Sequence, residues 1–162
     1  MNNQLNKGST GAFNAGMSLQ LLVNRLVSSS LATALRNKVS FVNEVPRDLN
    51  MFADESKVIP VIFELLTTVV ANARNSQIYI SADRYRDILI LNIQDRNNNN
   101  GYALAFSIQS IEPRASMIGG HISIDGPQQR VATISFSFPN HAAVSDYCRQ
   151  SGEFTVLQKK YG

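Results

Sequence analysis

The sequence holds one cysteine, two histidines and no long apolar run, and each shortage removes a class of protein. Cys148 alone cannot build a disulfide framework or a cysteine-rich zinc site. His121 and His141 have no ligand cluster around them, so a structural metal is not expected. No stretch is long enough to span a bilayer, and the polar start Met1-Asn2-Asn3-Gln4 lacks the charged-then-apolar pattern of a secretion signal. Glycine is scarce where it would matter most. Of nine, none lies between Gly16 and Gly101, which leaves few backbone positions able to approach a phosphate closely. Charge of one sign is lacking too: 15 basic against 12 acidic residues give +3, and Lys159-Lys160 is the only adjacent basic pair. A nucleic-acid surface needs a basic stripe or patch, and the linear sequence offers none. What is present, 162 residues with 44% apolar and 17% charged, is one domain's length with enough chain for a single core. The reading is a soluble, cytoplasmic protein with no nucleic-acid or membrane partner.

Composition divides the chain in three. Residues 1–16 are rich in Asn, Gly, Ser and Thr and form a leader; 17–139 carry the periodic patterns of a folded domain; 140–162 form a tail, with a short helix expected over 142–150. Within the domain, Leu19, Val23, Val27, Leu31 and Leu35 recur every four residues, which predicts one helix from Ser18, its N-cap, to Asn37. A strand follows over 38–43. A second helix is expected over 54–73, with Val58, Ile62, Leu65, Leu66 and Val69 inward and Pro60 misplaced within it. Alternation then predicts a hairpin of strands over 77–83 and 87–94. The asparagine run in 96–101 must be a loop, a helix is expected over 104–117, and strands over 121–125 and 130–138 complete the domain. These segments combine into a two-layer α/β (α+β) sandwich, a mixed, mostly antiparallel sheet covered on one face by helices.

Three strings in this order resemble the ATP-binding (catalytic) domain of bacterial sensor histidine kinases, a family in the superfamily shared with gyrase and the MutL repair proteins. Phe63-Glu64-Leu65-Leu66-Thr67-Thr68-Val69-Val70-Ala71-Asn72-Ala73 is similar to the family's N box, Q-E-A-L-T-N-A-L-K-H-A. Leu89-Ile90-Leu91-Asn92-Ile93-Gln94-Asp95 is similar to the strand that ends in the adenine-binding Asp. Ile111 to Ile124, with Arg114, Ala115 and Gly119-Gly120, is similar to M-R-E-R-A-x-x-L-G-G-x-L-x-I. The resemblance implies the histidine-kinase ATPase-like (Bergerat) fold over most of the chain.

It also assigns positions. Glu64 matches the acid that helps activate the phosphoaccepting histidine, the catalytic candidate here. Thr68 stands where the family's Asn holds Mg²⁺, which makes it the one metal-binding candidate. Asn72 matches the family's His. Asp95 matches the residue that accepts the adenine amino group. The glycines of the following D-x-G-x-G are Asn97 and Asn99, and Asn tolerates the left-handed backbone such a turn uses. Gly101 follows at once, leaving little room for a lid. The next box, G-x-G-L, falls on Ala105-Phe106-Ser107-Ile108, and the final G-T pair near Val131-Ala132. One nucleotide contact is retained and most of the phosphate-binding apparatus is replaced.

Two readings follow from the resemblance and a third from the residues. The first is a kinase-like module in two-component signalling with a degenerate nucleotide site and no cofactor. Its role is regulatory, and it meets a kinase dimerisation/phosphoacceptor module or a response regulator. The second is a working histidine kinase catalytic domain that binds ATP with Mg²⁺ and donates phosphate to a histidine outside this chain. The third is a homodimeric structural module that uses the first helix's apolar stripe as its contact. Each matched residue also has a plain structural role available: Asp95 as a turn cap, Glu64 as a salt-bridged surface acid, Thr68 as a packing residue, His121 as a strand opener.

Overall fold

A computed structural model of the chain describes residues 16–141. The expected tail helix over 142–150 and Cys148 lie outside the described residues. The element order is β1 (Met17–Ser18), α1 (Leu19–Ser29), α2 (Leu31–Asn37), β2 (Val39–Asn43), β3 (Asn50–Met51), α3 (Glu55–Asn72), β4 (Ser76–Tyr85), β5 (Ile88–Asp95), α4 (Gly101–Gln109), α5 (Glu112–Met117), β6 (His121–Asp125) and β7 (Ala132–Pro139). Five strands form one sheet in the order β2-β4-β5-β7-β6, parallel between β2 and β4 and antiparallel elsewhere. The mixed, mostly antiparallel sheet expected from the sequence is present.

Its two faces differ because side chains alternate along each strand. Ile78, Ile80, Leu89, Leu91, Ile93, Ile134 and Phe136 point into the core. Tyr79, Ser81, Asn92, Gln94, Thr133 and Ser135 occupy the alternate positions and are half-buried. That polar face is cross-linked by Ser135 donating to Asn92 at 2.6 Å and Gln94 donating to Thr133 at 3.3 Å. A further ribbon pairs β1 with β3, which the sequence patterns did not suggest because each strand is only two residues long.

Helix α3 is the axis of the apolar layer. Val58, Val61, Ile62, Leu65, Leu66, Val69 and Val70 recur at three- and four-residue intervals and are all buried. Pro60 does not break it. The hydrogen bond it removes would have gone to the carbonyl of Ser56, an exposed residue whose carbonyl can bond water instead. At the start, Asp54 accepts from the Ser56 N–H at 3.0 Å and the Ser56 hydroxyl at 2.7 Å. The Ser56 hydroxyl bond, then the backbone bond, hold the Asp54 carboxyl below its ordinary value of 3.8. A carboxyl whose pKa is depressed by folding adds stability above its unfolded pKa and loses it as pH falls through the folded one. Asp54→Ala is therefore expected to lower Tm at pH 7, with the deficit shrinking in scans at pH 3. An equal deficit at both pH values would mean that the ionised cap is not the cause.

The single helix expected over 18–37 is two helices. Ser18 does cap α1, accepting from the Leu21 N–H at 3.3 Å. The turn then breaks at Ser30, with φ −101° and ψ 3°. Leu19, Leu22 and Val23 are buried and Leu26 and Val27 pack against the core, but Leu31 and Leu35 are exposed. The error lies in the period. A side chain every four residues advances about 40° per step on a helix of 3.6 residues per turn, so the line walks off the buried side. The inward half of the stripe contacts the chain's own core, which weakens the third reading. The helix expected over 104–117 is likewise two. It begins earlier, at Gly101, and breaks at Ser110-Ile111, so that Pro113 sits in the first turn of α5, where its missing N–H costs little. Asn140, placed in the tail by composition, is buried in the domain. Its side chain accepts from the Phe52 N–H at 2.7 Å and donates to the Asn50 carbonyl at 3.1 Å.

Candidate functional site

Asp95 closes β5 on its core side and is 3% exposed. One carboxylate oxygen accepts from the Ser76 hydroxyl, at the start of β4, and from the Asn97 N–H at 3.0 Å. The Asn97 N–H is shared with the Ser76 oxygen at 3.1 Å. Three residues from three segments thus form one buried polar knot. The turn-cap role open to Asp95 from the sequence is present, and Ser76 is the partner that sequence reasoning missed.

The asparagine loop follows. Neither Asn97 nor Asn99 has the left-handed backbone that a glycine turn would use; among the described non-glycine residues, only Lys38, Asn75 and Arg86 do. Side chains shape the turn instead. Asn97 donates to the Asn75 carbonyl at 2.9 Å, and the Asn98 carbonyl oxygen of the side chain accepts from the Asn100 N–H at 3.3 Å. Asn98 reaches across to the β6–β7 loop, donating from its side chain to Pro127 and Gln129 carbonyls at 2.9 Å each and from its backbone to the Arg130 carbonyl at 2.7 Å. Asn100 donates to the side chain of Asn72 at 3.4 Å, joining the start of α4 to the end of α3. Asn99 stays exposed.

Gly101, the first residue of α4, is pressed against that same loop. A Cβ there would overlap the Pro127 carbonyl oxygen and come within 2.8 Å of the Asn98 side-chain nitrogen. Ala105 and Ser107 are the fifth and seventh residues of α4, past the first turn, so their backbone N–H groups belong to the helix ladder. The Ser107 hydroxyl is bonded to the Ala103 carbonyl at 2.8 Å. The positions matched to the glycine boxes are thus gathered at one end of the sheet, but as parts of a bonded loop and a helix.

On α3, Glu64 is paired with Arg114 of α5 at 2.5 Å, the side chains being 35% and 58% exposed. A pair this open contributes at most about 1 kcal/mol. Thr68 is half-buried one turn further on, and its carbonyl accepts from the Asn72 side chain at 2.8 Å. Among the described residues no group of three or more His, Cys, Asp or Glu side chains is placed to hold a metal. His121 opens β6, exposed, 3.9 Å from Glu112. No helix among the described residues is long and apolar enough to cross a membrane.

A five-stranded mixed sheet under a helical layer is the fold of histidine kinase catalytic (ATP-binding) domains. Among solved structures, the chain is similar to the histidine kinase AdeS of Acinetobacter baumannii, with a TM-score of 0.65 and 11% identity over 76% of this chain and 66% of that one. It is similar to the nucleotide-free catalytic domain of the histidine kinase ThkA, with a TM-score of 0.60 and 16% identity over 77% of this chain and 94% of that domain. It is also similar to ThkA in complex with the response regulator protein TrrA, at TM-score 0.54 and 15% identity, over 76% of this chain and 41% of that one. The likeness at these identities is one of fold, and the chain spans a domain's share of the longer kinase. No protein-family model matches the sequence, and neither does any curated protein.

Proposed function

We propose that this chain is a histidine-kinase-type module of two-component signalling that works without a nucleotide. Its role is regulatory, through contact with a kinase dimerisation/phosphoacceptor module or a response regulator. The observation that carries the reading is the bonded loop from Asp95 to Gly101. Its side chains are tied to the β6–β7 loop and to α3, and Gly101 leaves no room for even a methyl group. A phosphate-binding turn needs backbone N–H groups directed at open space, and those of Asn97, Asn98 and Asn100 are directed at protein oxygens. ATP with Mg²⁺ does not fit this arrangement, and Glu64 is held by Arg114 as a structural contact between helices. A response regulator as partner is supported by the fold shared with the ThkA chain that was solved with one.

Thermal unfolding with and without millimolar ATP and Mg²⁺, repeated with ADP, tests this. A ligand at about 100 times its Kd stabilises by roughly 2.7 kcal/mol. In a domain of this size that raises Tm by about 5 °C or more. The expected result is no shift. A rise that Asp95→Asn abolishes would overturn the reading in favour of a working catalytic domain.

A further inference from the structure

The sheet's end carries a concavity that opens on the face turned away from the helices. Ser40 and Gln77 are register partners on neighbouring strands and both line it. Arg96, the residue after Asp95, points to the same side, with its guanidinium 3.2 Å from the centre of the Tyr79 ring and bonded to Gln94 at 2.7 Å. Lys38, from the α2–β2 junction, and Arg130, from the β6–β7 loop, complete the rim of a pocket of about 480 Å³. Ser76 and Asn97 form the wall between it and the Asp95 carboxylate.

We propose that this pocket binds a small phosphate-bearing molecule, of sugar-phosphate or mononucleotide size. Three cations line it and no carboxylate does. Among the described residues none of the three is within ion-pair distance of an acid. Because all three line one pocket, an anion held in it meets their combined field. Arg96 is the best organised, because stacking on Tyr79 and the bond to Gln94 fix the plane of its guanidinium before any ligand arrives. The volume falls within the 300–1,000 Å³ typical of small-ligand sites. Ser40, Gln77 and Asn75 supply neutral donors and acceptors for the body of the ligand. Lys38 and Asn75, at φ 57° and 51°, are two of the three described non-glycine residues in the left-handed region, and both sit on this rim. The pocket shares only Asn97 with the matched nucleotide positions, and none of its cations Lys38, Arg96 and Arg130 is among them, so the proposal is separable from the nucleotide-free reading.

The test is an amide NMR titration of the full chain in metal-free buffer, with inorganic pyrophosphate in one arm and AMP in the other. Sodium chloride at matched ionic strength is the control. Saturable shifts are expected at Lys38, Asn75, Gln77 and Arg96 in both arms, with AMP binding more tightly because its body meets the neutral rim. Arg96→Gln combined with Arg130→Gln should weaken binding at least tenfold with an unchanged circular dichroism spectrum. Lys38→Gln alone should weaken it about threefold, and serves if the double variant does not fold. Absence of saturation, an equal response to chloride, or full affinity in a folded variant would overturn the proposal. So would binding of a polyglutamate peptide alone, which would mark a protein-docking surface. Shifts confined to α3 and α4 would overturn it too, and would count separately against the nucleotide-free reading above.

Discussion

Gly101→Ala is expected to lower the stability of this domain by about 2–3 kcal/mol, near the top of the range for overpacking substitutions. In a domain of this length that corresponds to a Tm lower by about 5–10 °C. The added methyl has nowhere to go. It meets the backbone carbonyl of Pro127, and backbone cannot rotate aside as the end of a side chain can. Accommodating it means separating α4 from the β6–β7 loop and breaking the Asn98 bonds to Pro127 and Gln129. Gly119→Ala is the informative comparison. Gly119 has φ +73°, where an L-residue is strained, but its Cβ would meet only the Pro139 ring at 3.4 Å. The expected cost there is about 1 kcal/mol, from backbone conformation alone. Urea unfolding of the two variants beside the parent separates the effects. A Gly101→Ala protein within about 0.5 kcal/mol of the parent would show that the loop is not clamped, and the main support for a nucleotide-free site would go with it.

Asp95→Ala should cost about 3 kcal/mol. The substitution takes the charged acceptor from the buried Ser76 hydroxyl and leaves the Asn97 N–H with the Ser76 oxygen alone. A hydrogen bond to a charged group contributes ~1.5–3 kcal/mol, and stranding its buried partner adds to the loss. Asp95→Asn keeps a carbonyl oxygen in place and loses only the charge, so about 1 kcal/mol is expected. Ser76→Ala should fall between the two, and the Ser76→Ala, Asp95→Asn cycle should show coupling of at least ~0.5 kcal/mol, as groups in one hydrogen-bonded knot do. Additive effects would mean that the two side chains act separately. A neutral Asp95→Ala would remove the structural role altogether and leave ligand recognition as the reason for an acid at this position.

Local physics made much of the fold legible. The three- and four-residue spacing on α3, the alternation on β4, β5 and β7, and the cap Ser18 all act within a few residues, and each is present as read. The errors arose where distant contacts decide. The β6–β7 loop, far along the chain, packs against Gly101 where α4 starts. Asn140 reads as a tail residue by composition, yet its side chain bonds to residues 50 and 52.

The site divides along the same line. The sequence by itself determined the fold class, the order of its elements, and the loss of the glycines that would let a backbone approach phosphates. Those are properties of residue type and short-range period. Only the tertiary structure decided what replaced the glycines: Asp95 turned onto Ser76, the asparagines bonded to loops on either side, and Glu64 held by Arg114. It also decided where charge gathers. Lys38, Arg96 and Arg130 are isolated cations in a chain without a basic run, and strand pairing brings them to one pocket. Strand register couples residues dozens of positions apart through backbone hydrogen bonds, and no local pattern around any one of them records which partners it will meet.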